Sequence, residues 1–394
     1  MRKLIVLGAG RVGGAIVRDL ARDPDNAVTA ADSSPDALKR LEQVAAAEGA
    51  TIRTLSVDLS NPTSLARALD GHELAVGAVP GPLGFETLRR VLQAGLDVVD
   101  ISFFEEDALA LQDLARRRGR TAIVDAGVAP GLNNLVLGHY EARLEEVTRF
   151  ECLVGGIPAN PAPPWYYKAP FSPIDVIAEY TRPARIRRGG EDVTVPALSE
   201  VEAVDFPGVG TLEAFNTDGL RTLLRTSRVP DLVEKTMRWP GHADRMRAMR
   251  DSGFFDEATL ELPSGARIAP LELSARLLFE AWRYEEGEVD LTAMRMTVEG
   301  RDREGPVRHV LHLLDRYDPE TGVSSMARTT GYTATALVRV LLEGRYREPG
   351  IAPPEVVGAE EGVLDLVLAH LGERGVVVER AEVRREAAEP APTK

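Results

Sequence analysis

Residues 4–14 read Leu-Ile-Val-Leu-Gly-Ala-Gly-Arg-Val-Gly-Gly, and this stretch decides the fold. A short apolar run ends at Gly8, and Gly10 and Gly13 follow at the G-x-G-x-x-G spacing. Residues 15–20 then show helical periodicity, and a strand–turn–helix is the context in which this glycine pattern indicates dinucleotide binding. Gly8 allows the tight turn, Gly10 lets a pyrophosphate approach the backbone, and Gly13 lets the helix pack closely on the strand. The alternative is an ordinary strand–helix turn with incidental glycines.

The second predicted strand, residues 27–31, is closed by Asp32. Asp32 lies near the ~20-residue spacing expected for the acid that bonds the ribose hydroxyls of a dinucleotide. A carboxylate there repels a 2′-phosphate, and we therefore predict NAD rather than NADP as the cofactor. Asp32 is equally suited to be a turn residue, because Ser34 is a good helix N-cap and Pro35 fits the first helical position. The two roles are compatible.

Strands and helices alternate through the first part of the chain, with short connections between them. Such alternation is typical of an α/β fold with a doubly wound parallel sheet, whose ligand crevice lies at the carboxyl ends of the strands. Asp58 and Asp100 fall at such strand ends and could contact a ligand there. Helix capping or packing would explain these two residues equally well. The later strands of this sheet are predicted at residues 51–57, 74–79, 97–101 and 121–125. The glycine turn and the strand ends predict a cofactor site of Gly8, Gly10, Arg11, Val12, Gly13, Asp32, Ser33, Asp58, Ala78, Val79, Pro80 and Ser102.

The pattern changes beyond residue 134. A stiff, proline-rich loop at 157–164 leads into residues 165–172, which read Trp-Tyr-Tyr-Lys-Ala-Pro-Phe-Ser. This is the densest aromatic cluster in a chain with 5% aromatic residues. Its Tyr167 and Lys168 would suit the wall of a substrate pocket. A core patch or a dimer interface explains the aromatic residues equally well.

Two later segments have the form strand, polar turn, helix, and both could offer side chains and N–H groups to an anion. One polar turn begins at Asn216 and the other at Trp239. Arg221, Arg238 and His242 are candidate ligands of a substrate carboxylate, because charged donors make strong hydrogen bonds to carboxylates. For any single arginine, a surface salt bridge is the more common role.

Residues 289–300 and 307–315 alternate in polarity around a polar turn. This pattern predicts two long antiparallel strands with one solvated face. The rest of the chain is predicted to contain a helix at 329–343, a proline-containing loop at 349–354, a helix at 362–374, a strand-like stretch at 375–378 and a frayed tail at 381–394.

The composition excludes several classes of partner. The chain has 394 residues, with 47 basic and 61 acidic side chains and a net charge of −14, which argues against nucleic acid and membrane surfaces. The single cysteine, Cys152, falls in a predicted strand, so we expect a buried residue in a cytoplasmic protein without disulfides. No apolar run approaches the ~20 residues of a membrane span, and the first strand leaves no room for a signal peptide. His309 and His312 point to opposite faces of a predicted strand, and no metal site is expected.

The motifs along the chain resemble the saccharopine-dehydrogenase-like superfamily, and within it the branch of the lysine 6-dehydrogenases. The likeness spans nearly the whole chain, and the later motifs are more specific than the glycine turn. The resembling segments are residues 8–13, 77–85, 99–103, 127–131, 155–158, 163–168, 198–201, 217–221, 235–242 and 329–332. The resemblance implies a Rossmann NAD-binding domain at 1–133, an α+β domain for substrate binding and dimerisation at 134–320, and a C-terminal helical segment at 321–394 that packs back on the first domain.

The resemblance further implies a homodimer that oxidatively deaminates L-lysine at its ε-carbon. The products would be 2-aminoadipate 6-semialdehyde (which cyclises to piperideine-6-carboxylate), NADH and ammonia. Saccharopine reductases of the family carry acidic residues in the Gly-x-x-Pro-Gly motif and a cysteine before Gly-Gly, whereas this chain has Ala129, Asn133 and Val154. This difference favours the smaller amino acid over saccharopine or carboxynorspermidine. A dinucleotide sensor without turnover is a third hypothesis.

The implied reaction needs a base, because a protonated amine cannot donate its lone pair to the forming iminium. The candidates are Asp125, which ends a predicted strand, and the aromatic-segment residues Tyr167 and Lys168. Arg238 and His242 would bind the α-carboxylate. Thr217 and Asp218 belong to the resembling segment 217–221. The predicted substrate ligands are therefore Arg238, His242, Thr217 and Asp218.

Overall fold

The structure is a computed structural model that describes residues 1–169, 173–285 and 287–384. Residues 170–172, at the end of the predicted aromatic segment, and 385–394, in the predicted tail, lie outside the described residues. The described residues form a 7-stranded, a 9-stranded and a 2-stranded sheet. Among these residues, no helix is long and apolar enough to cross a bilayer.

The first part of the chain builds a parallel sheet with helices on both faces, which confirms the predicted doubly wound α/β fold. The spatial order is 3-2-1-4-5-6, so the order reverses beside the first strand, where such sheets bind ligands. The strands are β1 (Arg2–Leu7), β2 (Asn26–Asp32), β3 (Arg53–Ser56), β4 (Leu74–Gly77), β5 (Asp97–Asp100) and β6 (Thr121–Ile123). The helices are α1 (Arg11–Leu20), α2 (Pro35–Ala47), α3 (Pro62–Leu69), α4 (Gly81–Ala94), a 3-10 turn (Ala108–Leu111) and α5 (Gln112–Arg118).

Local sequence explains where two of these helices begin. The Ser34 side chain accepts a hydrogen bond from Ala37 N, and Pro35 follows at the first position of α2. Asn61 caps α3 in the same way by accepting from two backbone N–H groups, and a proline again follows. These caps satisfy donors that have no partner within the helix.

Several predicted boundaries were wrong at the ends that face the crevice. β4 ends at Gly77 and β6 at Ile123, two residues before the predicted strand ends, because the chain leaves the sheet there to line the crevice. α4 begins at Gly81 rather than at 85, because a proline is tolerated in the first helical turn, where an N–H donor is not needed.

The second part of the chain builds a mixed sheet around β7 and β12, which run parallel to each other. The pairing order is β10-β11-β12-β7-β15-β16, and β8 joins the far end of β12. Its strands are β7 (Glu146–Pro158), β8 (Ala184–Arg188), β9 (Glu191–Val195), β10 (Glu202–Phe206), β11 (Gly210–Asn216), β12 (Asp231–Arg238), β15 (Asp290–Asp302) and β16 (Gly305–Arg316), and the separate hairpin is β13 (Leu260–Glu261) and β14 (Arg267–Ile268). The helices are α6 (Leu132–Glu141), α7 (Pro173–Thr181), α8 (Leu223–Thr226), α9 (His242–Asp251) and α10 (Pro270–Ala281).

The long strands β15 and β16 are antiparallel, as predicted, but the single solvated face is wrong for β15. Leu291 and Ala293 pack in one apolar cluster, and Met294 and Met296 pack in another on the opposite face. Helices α6 and α11 contact β15, and on the other face Leu291 and Ala293 share an apolar cluster with side chains of β10, β11 and β12 of the same sheet. Cys152 on the neighbouring β7 is fully buried, as predicted.

The last part of the chain returns to both sheets. It contains α11 (Ser325–Leu342), β17 (Gly350–Ala352), α12 (Pro354–Gly358), α13 (Val363–Gly372) and β18 (Val378–Arg384). β17 pairs with β6 in parallel as a seventh strand, within a segment predicted to be a loop. β18 pairs with β16 and lies later than the predicted stretch at 375–378. α11 and the residues that follow α13 are tied to α1 through the buried Asp19, which accepts hydrogen bonds from Thr335 and Arg374 at 2.6 Å each.

Candidate functional site

A cleft of about 650 Å³ lies between the carboxyl ends of the first sheet and strands β7 and β12 of the second. One end of it, the cofactor end, is bounded by the glycine turn and the ends of β2 to β5. The other, the substrate end, is bounded by β7, β12, α7 and the turn after β11. The cofactor end brings together every residue predicted for the cofactor, namely Gly8, Gly10, Arg11, Val12, Gly13, Asp32, Ser33, Asp58, Ala78, Val79, Pro80 and Ser102.

The glycine turn has the shape that a pyrophosphate requires. A Cβ on Gly13 would lie 2.1 Å from the Gly8 carbonyl oxygen, so the helix touches the turn too closely for any side chain. A Cβ on Gly10 would meet nothing within 4 Å, which leaves open space at the helix start. Gly10 is also the N-cap of α1 and offers no capping side chain, so the first N–H groups of the helix are available to an anion. The residues therefore fit a dinucleotide.

Asp32 occupies the end of β2 at the cofactor end. Its Oδ2 accepts from Ala9 N at 2.6 Å and its Oδ1 from Ser34 N at 2.8 Å. The carboxylate thus braces the glycine turn and also borders the cleft, so both sequence interpretations of Asp32 are compatible with its position. Asp58 is exposed, and hydrogen bonds from Ser60 hold its pKa below the ordinary value.

Asp125, which follows β6, also lines the cleft. Its Oδ1 accepts from Arg221 Nε at 3.1 Å, in an ion pair that is almost fully buried, while its Oδ2 is buried without a hydrogen-bond partner. Both residues have positive φ, 51° and 50°, which is uncommon outside glycine and concentrates at functional sites. Arg221 also donates to the Phe104 carbonyl and lies over the Phe103 ring at 4.7 Å. Burial raises the pKa of the nearby Asp100 to about 7.

Arg238 is the buried cation of the substrate end, with 2% of its surface exposed. Its guanidinium donates to Glu179 at 3.0 Å and to the Tyr180 hydroxyl at 3.2 Å, and it lies 4.7 Å from the centre of the Tyr167 ring. Three of its N–H groups are engaged within the protein, and the residue lines the cleft. Arg238 is therefore positioned and charged to bind an anionic group of a ligand.

His242 is fully buried behind this cation and does not line the cleft. Its Nδ1 lies 2.8 Å from the Trp165 carbonyl oxygen and its Nε2 lies 2.9 Å from the Tyr180 hydroxyl. Burial, with the charge of Arg238, lowers the pKa of His242 to about 3, so the ring is neutral. His242, predicted as a substrate ligand, thus lies behind the cleft lining, and the Tyr180 hydroxyl connects it by hydrogen bonds to Arg238.

The two aromatic-segment candidates also lie outside the cleft lining. Lys168 Nζ donates to the Arg283 carbonyl at 2.7 Å and pairs with Glu288 at 3.1 Å, so its ammonium group is engaged outside the cleft. Tyr167 is 2% exposed, and its hydroxyl has no hydrogen-bond partner. Burial raises the pKa of Tyr167 well above its ordinary value. Tyr167 is thus a neutral wall beneath Arg238.

The structure adds two carboxyl groups that sequence reasoning missed, the partly buried Glu179 on α7 and the buried Glu234 on β12. Burial raises the pKa of Glu179 to about 7, although the charge of Arg238 opposes this. Burial raises the pKa of Glu234 to about 8, against the hydrogen bond from Thr217. Glu234 could have been found from the alternation with Thr236 and Arg238, but the strand was predicted to begin only at 235.

The turn after β11 completes the substrate end with two predicted ligands. Thr217 is buried, and its hydroxyl donates to Glu234 Oε2 at 3.0 Å. Asp218 borders the cleft and pairs with Arg185 at 2.8 Å. No group of acidic, cysteine and histidine residues that could hold a metal ion occurs among the described residues.

Two family models together match most of the chain. One, described as the saccharopine dehydrogenase NADP binding domain, matches residues 4–123, and the other, the saccharopine dehydrogenase C-terminal domain, matches residues 127–376. Saccharopine dehydrogenase [NADP(+), L-glutamate-forming] of Schizosaccharomyces pombe is 21% identical over 90% of this chain and 94% of its own length. The enzyme of that name from Saccharomyces cerevisiae is 20% identical over the same shares, 90% and 94%.

Solved structures show the same architecture. Apo saccharopine dehydrogenase (L-Glu forming) from Saccharomyces cerevisiae has a TM-score of 0.76 at 19% identity, with 98% of this chain and 100% of that chain covered. Homospermidine synthase from Legionella pneumophila, in complex with NAD, has a TM-score of 0.65 at 11% identity, with coverage of 100% and 95%. At these identities the likeness establishes the fold.

Proposed function

The chain belongs to the saccharopine dehydrogenase family, and from that premise we propose that it oxidises L-lysine at the ε-carbon with NAD, the reaction of a lysine 6-dehydrogenase. The products are 2-aminoadipate 6-semialdehyde, which cyclises to piperideine-6-carboxylate, together with NADH and ammonia. Bound NAD would supply the acceptor for the hydride from the ε-carbon. The chain's own residues must bind the amino acid, exclude water and take a proton from the amine.

The charge of the substrate end is the observation that supports lysine. Its described lining includes two arginines, Arg182 and Arg238, and a larger group of acids. L-lysine carries two ammonium groups and one carboxylate, which suits an acidic pocket with a buried guanidinium. Saccharopine carries additional carboxylates, and a lining with more acids than arginines offers them few partners. The acids are Asp175, Glu179, Asp218 and Glu234.

Two residues of the cleft wall further support a small substrate. Ala129 and Val154 border the cleft where the saccharopine reductases resembled by this chain have an acid and a cysteine. The alternatives are a larger secondary amine, as the names of the curated relatives suggest for those proteins, and a sensor that binds a dinucleotide without turnover. The Arg238–Glu179 ion pair beside the buried Glu234 favours an enzyme, because carboxyl groups with strongly raised pKa values concentrate at catalytic sites.

A substrate panel tests the proposal directly. NADH or NADPH formation is followed with lysine, saccharopine and carboxynorspermidine, each with NAD and with NADP. We expect the largest kcat/KM with lysine and NAD. Activity confined to a secondary amine would overturn the choice of lysine, and dinucleotide binding without turnover in every mixture would favour the sensor.

The choice of NAD rests on Asp32 and has its own test. We expect Asp32→Ser to lower kcat/KM for NAD by about 10- to 100-fold, because a charged acceptor of ribose hydrogen bonds contributes about 1.5–3 kcal/mol. The same change should raise the value for NADP, since the repulsion of the 2′-phosphate is removed. Steady-state kinetics with each dinucleotide at saturating lysine measure both. Asp36→Ser, an exposed acid one helical turn away, is the matched control and should leave both values unchanged.

The domain limits and the assembly belong to the same proposal. We propose a Rossmann domain at 1–133, a substrate and dimerisation domain at 134–320 and a returning segment at 321–394. The packing of α11 on α1 supports the returning segment. The proposal includes a cytoplasmic homodimer, without nucleic-acid or membrane partners and without a metal.

A further inference from the structure

The geometry points to Glu234 as the general base that takes the proton from the substrate amine, held in place by the hydroxyls of Thr217 and Thr236. This inference rests on the proposed function, because it needs a substrate amine that is oxidised at the adjacent carbon. The bases predicted from sequence are less well placed. Tyr167 and Lys168 do not line the cleft, and the Asp125 carboxylate is engaged by a guanidinium.

Glu234 is fixed at the inner wall of the cleft. It is 4% exposed and lies on β12 with Thr236 and Arg238, at alternate positions that face the same side. A Cβ on Gly219 would lie 2.2 Å from Glu234 Oε2, so the carboxyl group packs directly on the backbone of the turn after β11. The side chain therefore has little freedom to leave the cleft.

A short hydroxyl chain orients this carboxyl group. Thr217 Oγ1 donates to Glu234 Oε2 at 3.0 Å, and Thr217 and Thr236 Oγ1 lie 2.8 Å apart. Because the single proton of Thr217 is used toward Glu234, the hydroxyl of Thr236 must donate to Thr217. Both threonines thus point their protons toward Glu234, and Thr217 acts as a positioning residue.

Two acids that neighbour Glu234 in the cleft each pair with an arginine, Glu179 with Arg238 and Asp218 with Arg185. Among the described residues, Glu234 forms no ion pair and is held by the Thr217 hydroxyl. The charged or titratable groups that face Glu234 are Glu179 of α7, Asp218 of the turn, Arg238 of β12 and the neutral, buried Cys152 of β7.

Burial raises the pKa of Glu234 to about 8, with Glu179 and Asp218 adding to the effect. A base in this range both accepts a proton from an ammonium group and releases it to water near neutral pH. The carboxyl group must be ionised to act, so its contribution falls about tenfold per pH unit below this pKa and reaches its full value above it.

The proton balance of the step is closed. The substrate ammonium transfers one proton to the Glu234 carboxylate, and the free amine donates its lone pair as the hydride leaves the ε-carbon for the dinucleotide. Water then adds to the resulting iminium, ammonia leaves as ammonium, and the aldehyde forms. One proton is released overall, and it is the one that Glu234 returns to solvent.

The pH dependence of Glu234→Gln tests this role. In the wild type, kcat/KM for lysine should rise with pH and level off above about 8. In the variant, we expect a loss of about 100-fold or more near neutral pH, the size typical of general-base catalysis. The remaining activity should rise about tenfold per pH unit, without levelling off until the amine itself loses its proton near pH 10.4.

Two companion variants and two further measurements keep the outcome clear. Thr217→Val should raise the pH at which kcat/KM levels off, because the hydrogen bond that favours the ionised carboxyl is removed. Glu151→Gln, a carboxylate on the same sheet that pairs with Arg149, should leave the whole profile unchanged. NADH binding shows whether the Glu234→Gln variant keeps its fold. An infrared titration of protonated carboxyl groups shows whether the signal of Glu234 is lost in this variant, and neither measurement depends on turnover.

The results separate the inference from the proposed function. A wild type that oxidises lysine, with a Glu234→Gln variant that keeps its rate and its plateau, would overturn the role of Glu234 alone. A wild type without lysine activity would overturn the proposed function. The wild type and Glu234→Gln are then compared on whichever amine of the panel is oxidised. If no amine is oxidised, both fail.

Discussion

Substitution of Gly10 by alanine is expected to weaken NAD binding by about 10- to 100-fold while the melting temperature stays unchanged. The new Cβ meets no protein atom within 4 Å, so the fold has no reason to respond. It enters the space that a pyrophosphate needs at the start of α1, and the lost hydrogen bonds from backbone N–H groups contribute about 1.5–3 kcal/mol each when the acceptor is charged. Titration of NADH fluorescence, together with thermal unfolding, measures both quantities.

Two neighbouring glycines provide the comparison. Gly14→Ala places a Cβ at an ordinary 3.7 Å from Leu41 in the interior of α1, and it should raise the melting temperature slightly without changing NAD affinity. Gly13→Ala forces a Cβ to 2.1 Å from the Gly8 carbonyl oxygen, and it should lose both stability and binding. Equal NAD affinity in Gly10→Ala and Gly14→Ala would mean that the dinucleotide does not bind at this turn.

Arg238→Met is expected to reduce kcat/KM for lysine by about 100- to 1,000-fold. Removal of one member of a buried charge pair costs about 2–5 kcal/mol, because the remaining charge loses its partner. Here the variant loses the guanidinium proposed to bind the substrate carboxylate, and it also leaves Glu179 without the cation that opposes the rise of its pKa. Steady-state kinetics should show most of the loss in KM, with NADH affinity retained.

Lys168→Met is the matched control for this change, because it also removes a cation but acts on a side chain that bonds to Arg283 and Glu288 outside the cleft. It should keep kcat/KM within about threefold of the wild type, as expected of a partly exposed ion pair. Arg238→Met combined with Glu179→Gln removes both charges and should recover part of the stability. Near-normal lysine kinetics in Arg238→Met would mean that the substrate carboxylate binds elsewhere.

The first sheet was predictable because its signals are local. Alternating apolar runs, the Ser34 and Asn61 caps and the glycine turn each specify structure within a few residues. β17 was missed because three residues are too few to carry a periodic signal, and its partner β6 lies far away in the sequence. Such a strand is stabilised by the sheet edge that it completes rather than by its own sequence.

In the candidate site, too, the features set by local sequence were predictable and those set by long-range packing were not. Residues at strand ends were predicted to lie together, since parallel strands bring their carboxyl ends to one edge. The directions of the Lys168 and His242 side chains depend on packing between segments that are distant in the sequence, and these were not predictable. The segment containing Glu179 was not assigned as a helix from sequence, so the contact between its carboxyl group and Arg238 could not be predicted.

The last segment of the chain has a consequence for biosynthesis, because it supplies a strand to each of the two large sheets. As the polypeptide leaves the ribosome, the outer edge of β6 stays unpaired until Gly350 has been made. Open edges of this kind are prone to pair with other chains. Residues 350–384 must therefore be synthesised before either large sheet has its full set of described strands.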